Sequence, residues 1–282
     1  HVLHAVERIF VRYSLHGEAT VHRNADFPWV AALEADWRAI RAELDAVLQR
    51  REPIPPFQEI SPEQAEITQD DRWRTYVLYA YGAKAHRNCR ECPATTAAVE
   101  RIPGMKTALF SILDAGKHIP PHRGPYKGLL RCHLGLRIPG RPGAVRLRVG
   151  DVHTTWREGA AVVFDDTFDH EAWNDSDAVR VVLFIDFVRP LRAPLSWING
   201  AILRLIVGSP YGRANIRRFA AWYKARGIDA GGRQAPHQRK RAGEIGVAAH
   251  DESDKGRFVL GLQGGECVVD PETKADPCFR VG

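Results

Sequence analysis

Five short apolar runs between Lys106 and Pro190 limit what this 282-residue chain can fold into. ALFSIL, LLRCHLGLRI, VRLRV, AAVVF and VRVVLFIDFV are separated by Gly, Pro and Asp turns, and no stretch of helical period lies between them. Short strands at this spacing read as a sandwich or barrel.

The flanks are helical. Residues 1–17 form a short amphipathic pattern with Ile9 and Phe10 on its apolar side. From Trp29 to Arg50, Leu33, Trp37, Ile40, Leu44 and Val47 recur at threes and fours, which predicts a helix stopped by Pro53, Pro55 and Pro56. Residues 57–72 read as polar loop, WRTYVLYAY (73–81) as a strand and 95–101 as a helix. After Pro190, SWINGAILRLIVG and ANIRRFAAWYKAR read as two amphipathic helices expected to pack on the β-core. Their Trp, Ile, Leu and Arg content also suits an anionic membrane surface. The organisation is therefore residues 1–102 as helices and a strand packing on the core, 103–190 as the β-core, 191–227 as C-terminal helices, and 228–282 as an aperiodic tail with a strand at Arg257–Leu262.

An apolar fraction of 44% and seven Trp mark a globular chain. The formal charge of +6 suits an anionic substrate or surface. The basic run Arg233–Arg241 has no interleaved aromatics, which argues against nucleic acid as a partner. Five cysteines, an odd number, point to a reducing compartment, so a cytoplasmic location, at most peripheral to the inner face of a membrane. Cys89-x-x-Cys92 lacks a second Cys/His pair at zinc spacing and reads as a thiol pair at a helix start.

Within the β-block, polar residues interrupt apolar runs. Arg180 heads VRVVLFIDFV, which is apolar on both faces; its planar fork suits a carboxylate, unless it reaches solvent at the strand end. Arg131 and His133 share one face of LLRCHLGL, and Leu130, Cys132 and Leu134 share the other. Ser111 points among the apolar neighbours Leu109 and Leu113. His122 follows Pro-Pro in a stiff turn, and His170 lies just after AAVVF. Two imidazoles at strand ends fit two-thirds of a facial metal triad.

The ordered motifs H-x-G-P-x-x-x-x-x-R-x-H-L-G-L-x-I-P from His122, W-x-E-G from Trp156 and F-D-D-x-F-x-H-E-x-W from Phe164, followed by Arg180, resemble the aspartyl/asparaginyl β-hydroxylase family. The resemblance implies an all-β core, a cupin-like double-stranded β-helix or jelly roll, with flanking α-helices. It also implies a dioxygenase using Fe(II), 2-oxoglutarate and O₂. On that resemblance His122 and His170 ligate the iron. Arg180 and Ser111 hold the distal carboxylate of 2-oxoglutarate, and Arg131 and His133 its chelating end. The position of the facial carboxylate is Gly124, which leaves water or one of Asp165, Asp166 and Asp169 to complete the site. Animal members of the family also look carboxylate-free there. His122-Arg123-x-Pro125-Tyr126 is similar to a branch that 2-hydroxylates lipid A acyl chains, whereas Gly124 is similar to the peptide-hydroxylase branch. Peptidyl Asp/Asn or related amino-acid substrates stand slightly ahead of lipids, with a small metabolite third. A non-catalytic β-barrel binding module is the contrasting class.

Overall fold

The computed structural model describes residues 2–50 and 52–226; the Arg233–Arg241 run and the strand expected at Arg257–Leu262 lie outside them. Eleven strands among the described residues form two antiparallel sheets. The larger contains β1 (Val21–His22), β2 (Trp73–Ala80), β3 (Ala83–Lys84), β4 (Met105–Leu113), β6 (Leu129–Arg137), β9 (Ala161–Phe164) and β11 (Arg180–Val188), in the order β1-β9-β6-β11-β4-β2-β3. The smaller contains β5 (His118–His122), β7 (Val145–Val149), β8 (Val152–Thr155) and β10 (His170–Asn174), in the order β5-β10-β7-β8. This is a double-stranded β-helix with flanking helices.

Side-chain alternation gives the large sheet two different faces. On its outer face Leu130, Cys132, Leu134 and Leu136 of β6 and Val181, Leu183 and Ile185 of β11 are buried with Phe110 and Ile112 of β4. The helices α2 (Trp29–Ala35), α3 (Trp37–Gln49) and α6 (Pro93–Glu100) cover them with Val30, Leu33, Ile40, Leu44, Val47 and Val99. Their period of three and four is the pattern visible in the sequence, but the helix expected over 29–50 breaks at Asp36, which ends α2 and precedes α3. The inner face meets the small sheet: Trp73, Leu113, Phe164 and Val182 pack against Ile119, Val145, Leu147, Val149 and Ala172.

Cys89 of α5 (His86–Glu91) and Cys92, which follows it, are both buried thiols, and burial pushes Cys92 up to about 12. That environment suits neither metal nor thiolate chemistry. The expected polar loop over 57–72 holds a short helix, α4 (Phe57–Ile60), and a 3₁₀ turn over 62–66. At the carboxyl end, α7 (Leu195–Gly208) and α8 (Pro210–Ala225) follow the core, preceded at the amino end by α1 (Val2–Tyr13). Trp222 and Tyr223 of α8 pack on Val77, Leu109 and Phe184 of the inner wall, so α8 meets the expectation of packing on the β-core.

Candidate active site

β5 and β10 pair so that His122 stands directly opposite His170, and their ring centroids lie 4.1 Å apart. The pairing shifts register just after His170, a bulge of the kind that re-aims a side chain. The Nδ1 of His122 lies 2.8 Å from the carbonyl of Pro120, and that of His170 lies 3.0 Å from the carbonyl of Phe168. A carbonyl only accepts, so each Nδ1 carries the proton and each Nε2 keeps a lone pair. Burial lowers the pKa of both rings, His170 to about 3, where the neighbouring His122 adds to the effect. Two neutral imidazoles, each oriented by a backbone carbonyl, suit a borderline metal ion.

A third ligand does not join them: among the described residues no group of three or more His, Cys, Asp and Glu side chains could hold a metal together. The reason lies at Gly124. Its N–H donates to the Asp166 carbonyl at 2.7 Å, and a Cβ at position 124 would overlap the Asp166 carboxylate. Asp166 therefore fills the volume that a side chain at 124 would need. That carboxylate is buried, and burial raises its pKa to about 6, opposed by Arg131 at 2.9 Å. Asp165 is elsewhere, buried against Arg189 and Lys127, while Asp169 pairs with Arg148.

The inner wall of the large sheet carries the remaining candidates. Arg131, His133, Ser111 and Arg180 all lie on it, through the registers Asp186↔Arg131, Phe184↔His133, Val182↔Ser111 and Arg180↔Leu113. Arg180 is 1% exposed, and its Nε and Nη1 have no hydrogen-bond partner among the described residues. Its guanidinium lies 4.5 Å from the Trp156 ring centroid, and burial lowers its pKa to about 9. Both ring nitrogens of His133, the indole nitrogen of Trp156 and the hydroxyl of Thr75 are likewise buried without partners. His133 bridges the two halves of the site, 5.7 Å from the Trp156 ring and 5.0 Å from Phe164, which itself lies 5.9 Å from His170. Ser111 accepts a 3.0 Å hydrogen bond from Trp73. Arg131 is engaged by Asp186 at 2.8 Å and by Asp166. Buried polar groups are rarely left unpaired, and so many on one wall fit an anion with several acceptor oxygens.

Trp156 and Thr75 were not candidates from the sequence. Thr75 shares the inner face with Trp73 and Val77 by simple alternation, a signal the chain does carry.

The model of the family described as aspartyl/asparaginyl beta-hydroxylase matches residues 34–190, more than half of the chain. The chain belongs to the aspartyl/asparaginyl β-hydroxylase family. An ornithine lipid ester-linked acyl 2-hydroxylase of Rhizobium tropici is 44% identical over 218 residues, covering 77% of this chain and 78% of that protein. The human aspartyl/asparaginyl beta-hydroxylase is 31% identical over 170 residues, covering 58% of this chain but only 22% of the human protein. Among solved structures, a Pseudomonas putida prolyl-4-hydroxylase covers 58% of this chain and all of its own, at 17% identity and a TM-score of 0.36. Both named sequence relatives are hydroxylases.

Proposed function

We propose that the chain is an Fe(II)- and 2-oxoglutarate-dependent hydroxylase whose substrate is the ester-linked acyl chain of an amino-acid lipid. The observation that carries the co-substrate reading is Arg180: a buried guanidinium for which no carboxylate among the described residues forms an ion pair. The distal carboxylate of 2-oxoglutarate supplies the missing charge; Thr75 and Ser111 line the same wall, and the Trp156 ring faces Arg180. His133, whose ring nitrogens have no partner among the described residues, faces the chelating end, and Arg131, already paired with Asp186 and Asp166, borders it. His122 and His170 present Nε2 lone pairs to the metal. Bound Fe(II), with O₂ and 2-oxoglutarate, supplies an oxidant able to break an aliphatic C–H bond. The balance is substrate C–H, O₂ and 2-oxoglutarate in, and alcohol, succinate and CO₂ out. The apolar wall of Leu113, Val182 and Phe164 excludes water from this chemistry.

Support for the lipid comes from the Rhizobium tropici relative, matched over most of both chains. The second reading, an aspartyl or asparaginyl side chain, rests on the family and on Gly124. The two differ less than they seem, since acyl C2 and aspartyl Cβ are both methylenes bonded to a carboxyl-derived carbon. The proposed location is the cytoplasm, where the buried free thiols stay reduced. The test is mass spectrometry after incubation with Fe(II), ascorbate and 2-oxoglutarate, offering ornithine lipid and Asp/Asn peptides in parallel. The expected result is succinate and a lipid one oxygen atom heavier, unmodified in reactions lacking 2-oxoglutarate. Oxidation of the peptide alone supports the second reading, and no succinate with either overturns both.

A further inference from the structure

α7 has two unlike faces. Leu195, Asn199 and Leu203, four residues apart, are buried. Asn199 accepts from the Tyr126 hydroxyl at 2.6 Å and donates to the Gly128 carbonyl at 3.0 Å. These bonds fasten the helix to the loop 123–128, which begins immediately after His122. The opposite line, Trp197, Ala201 and Leu205, is exposed, with Trp197 at 74% and Leu205 at 73%, and Ile198 lies beside it. Arg192 and Arg204 flank this apolar line and are exposed as well. The charge is one-sided: residues 191–226 contain seven Lys and Arg and no Asp or Glu. Among the described residues, no helix is long and apolar enough to cross a membrane.

We propose that the exposed face of α7 is an interfacial docking surface for an anionic lipid bilayer, which seats the mouth of the His122 site against the leaflet that holds the substrate. An indole and two aliphatic side chains on one side of a helix, with arginines at its margin and no acidic residue within 191–226, match the two attractions that hold an interfacial helix: apolar insertion and headgroup charge. A soluble protein gains nothing in water from a Trp and a Leu each three-quarters exposed on one line. The rigid tie through Asn199 makes docking and site orientation one event. The inference deepens the acyl-lipid reading and rests on it for the identity of the substrate, but its test does not involve the reaction.

The full-length, metal-free protein is sedimented with vesicles of phosphatidylcholine alone and with phosphatidylglycerol added, neither being a substrate. Binding is expected with phosphatidylglycerol, weakening with salt. Trp197→Ser with Leu205→Ser should lower the partition coefficient at least about tenfold. Arg192→Glu with Arg204→Glu should lower it more than about tenfold for anionic vesicles while leaving phosphatidylcholine unaffected. Both variants alter exposed side chains, and 2-oxoglutarate turnover on detergent-dispersed lipid should match the parent. No vesicle binding by the parent overturns the proposal, as does binding unchanged in both variants. So does a dimer, seen by light scattering, that Trp197→Ser with Leu205→Ser splits without altering vesicle binding, because the face would then serve a second copy. Lost vesicle binding with turnover intact removes only the docking surface; intact vesicle binding with no turnover removes only the hydroxylase reading.

Discussion

Two arginines at opposite ends of β11 are equally buried, each 1% exposed, and they sit in opposite chemical situations. Arg189, just past the end of the strand, forms an ion pair with the wholly buried Asp165 and donates from Nε to the Lys127 carbonyl at 2.7 Å. Lys127 joins the same carboxylate at 2.9 Å. Arg180, at the head of the strand, has an indole face and no counter-charge among the described residues. A buried charge that the fold itself satisfies is part of the fold. One left unsatisfied costs free energy that only a ligand returns. The first arginine ties the segment carrying Asp165 and Asp166 to the end of β11, and the second, on the proposed function, receives a carboxylate of 2-oxoglutarate.

The largest effect should come from breaking the satisfied pair. Asp165→Asn leaves Arg189 buried without its carboxylate, and unfolding free energy in urea should fall by about 3–5 kcal/mol. A loss below about 1 kcal/mol would place the stabilisation elsewhere. The matching change at the other end, Arg180→Met, should leave the unliganded protein within about 1 kcal/mol of the parent, because it removes an unpaired charge. The same variant should raise the 2-oxoglutarate requirement by about 1.5–3 kcal/mol, roughly tenfold or more. Collapse of unliganded stability in this variant would make Arg180 structural.

Gly124→Ala probes the contact between the two regions, since Asp166 follows Asp165 in the chain. Its Cβ overlaps the Asp166 carboxylate, and the expected loss is about 1–3 kcal/mol. In a background of Asp166→Gly, which carries its own cost from the lost Arg131 pair, Gly124→Ala should cost little or nothing further. Additive losses would mean that the two residues do not share that space.

The smallest effect is in pH dependence. His22 is held at about 4 by burial, with Arg189 adding to the effect. Its folded pKa is depressed, so the neutral ring contributes stability fully above pH 6.5, and that contribution is lost as pH falls towards 4. Between those limits His22→Gln should lose about 1–2 kcal/mol less than the parent in urea melts. Equal slopes would show that His22 is solvated.

How much of this was legible beforehand differs by region. β6 could be read directly: LLRCHLGL alternates, and the structure puts Leu130, Cys132 and Leu134 against the helices and Arg131 and His133 on the inner wall. β11, apolar on both sides, was equally plain. The strands bearing the histidines were not. HIPPH and HEAWN are short and polar or proline-rich, and they become strands only because each has a partner in the small sheet. The role of Asp166 was hidden for another reason. FDDTFDHE offers three aspartates, and only the backbone bond from Gly124 shows which one fills the space at 124. Asp36 breaks a helix whose period runs through it, and period alone does not register such a break.

On the proposed function the buried guanidinium of Arg180, without a counter-charge among the described residues, is the receptor for the distal carboxylate of 2-oxoglutarate beside a two-histidine metal site. The most direct test is calorimetric titration of 2-oxoglutarate into Mn(II)-loaded protein, with parent and Arg180→Met side by side and urea melts confirming that both are folded. The expected result is saturable, metal-dependent binding by the parent and at least about tenfold weaker binding by the variant. Equal affinity in the two proteins, or no binding by the parent, would contradict it.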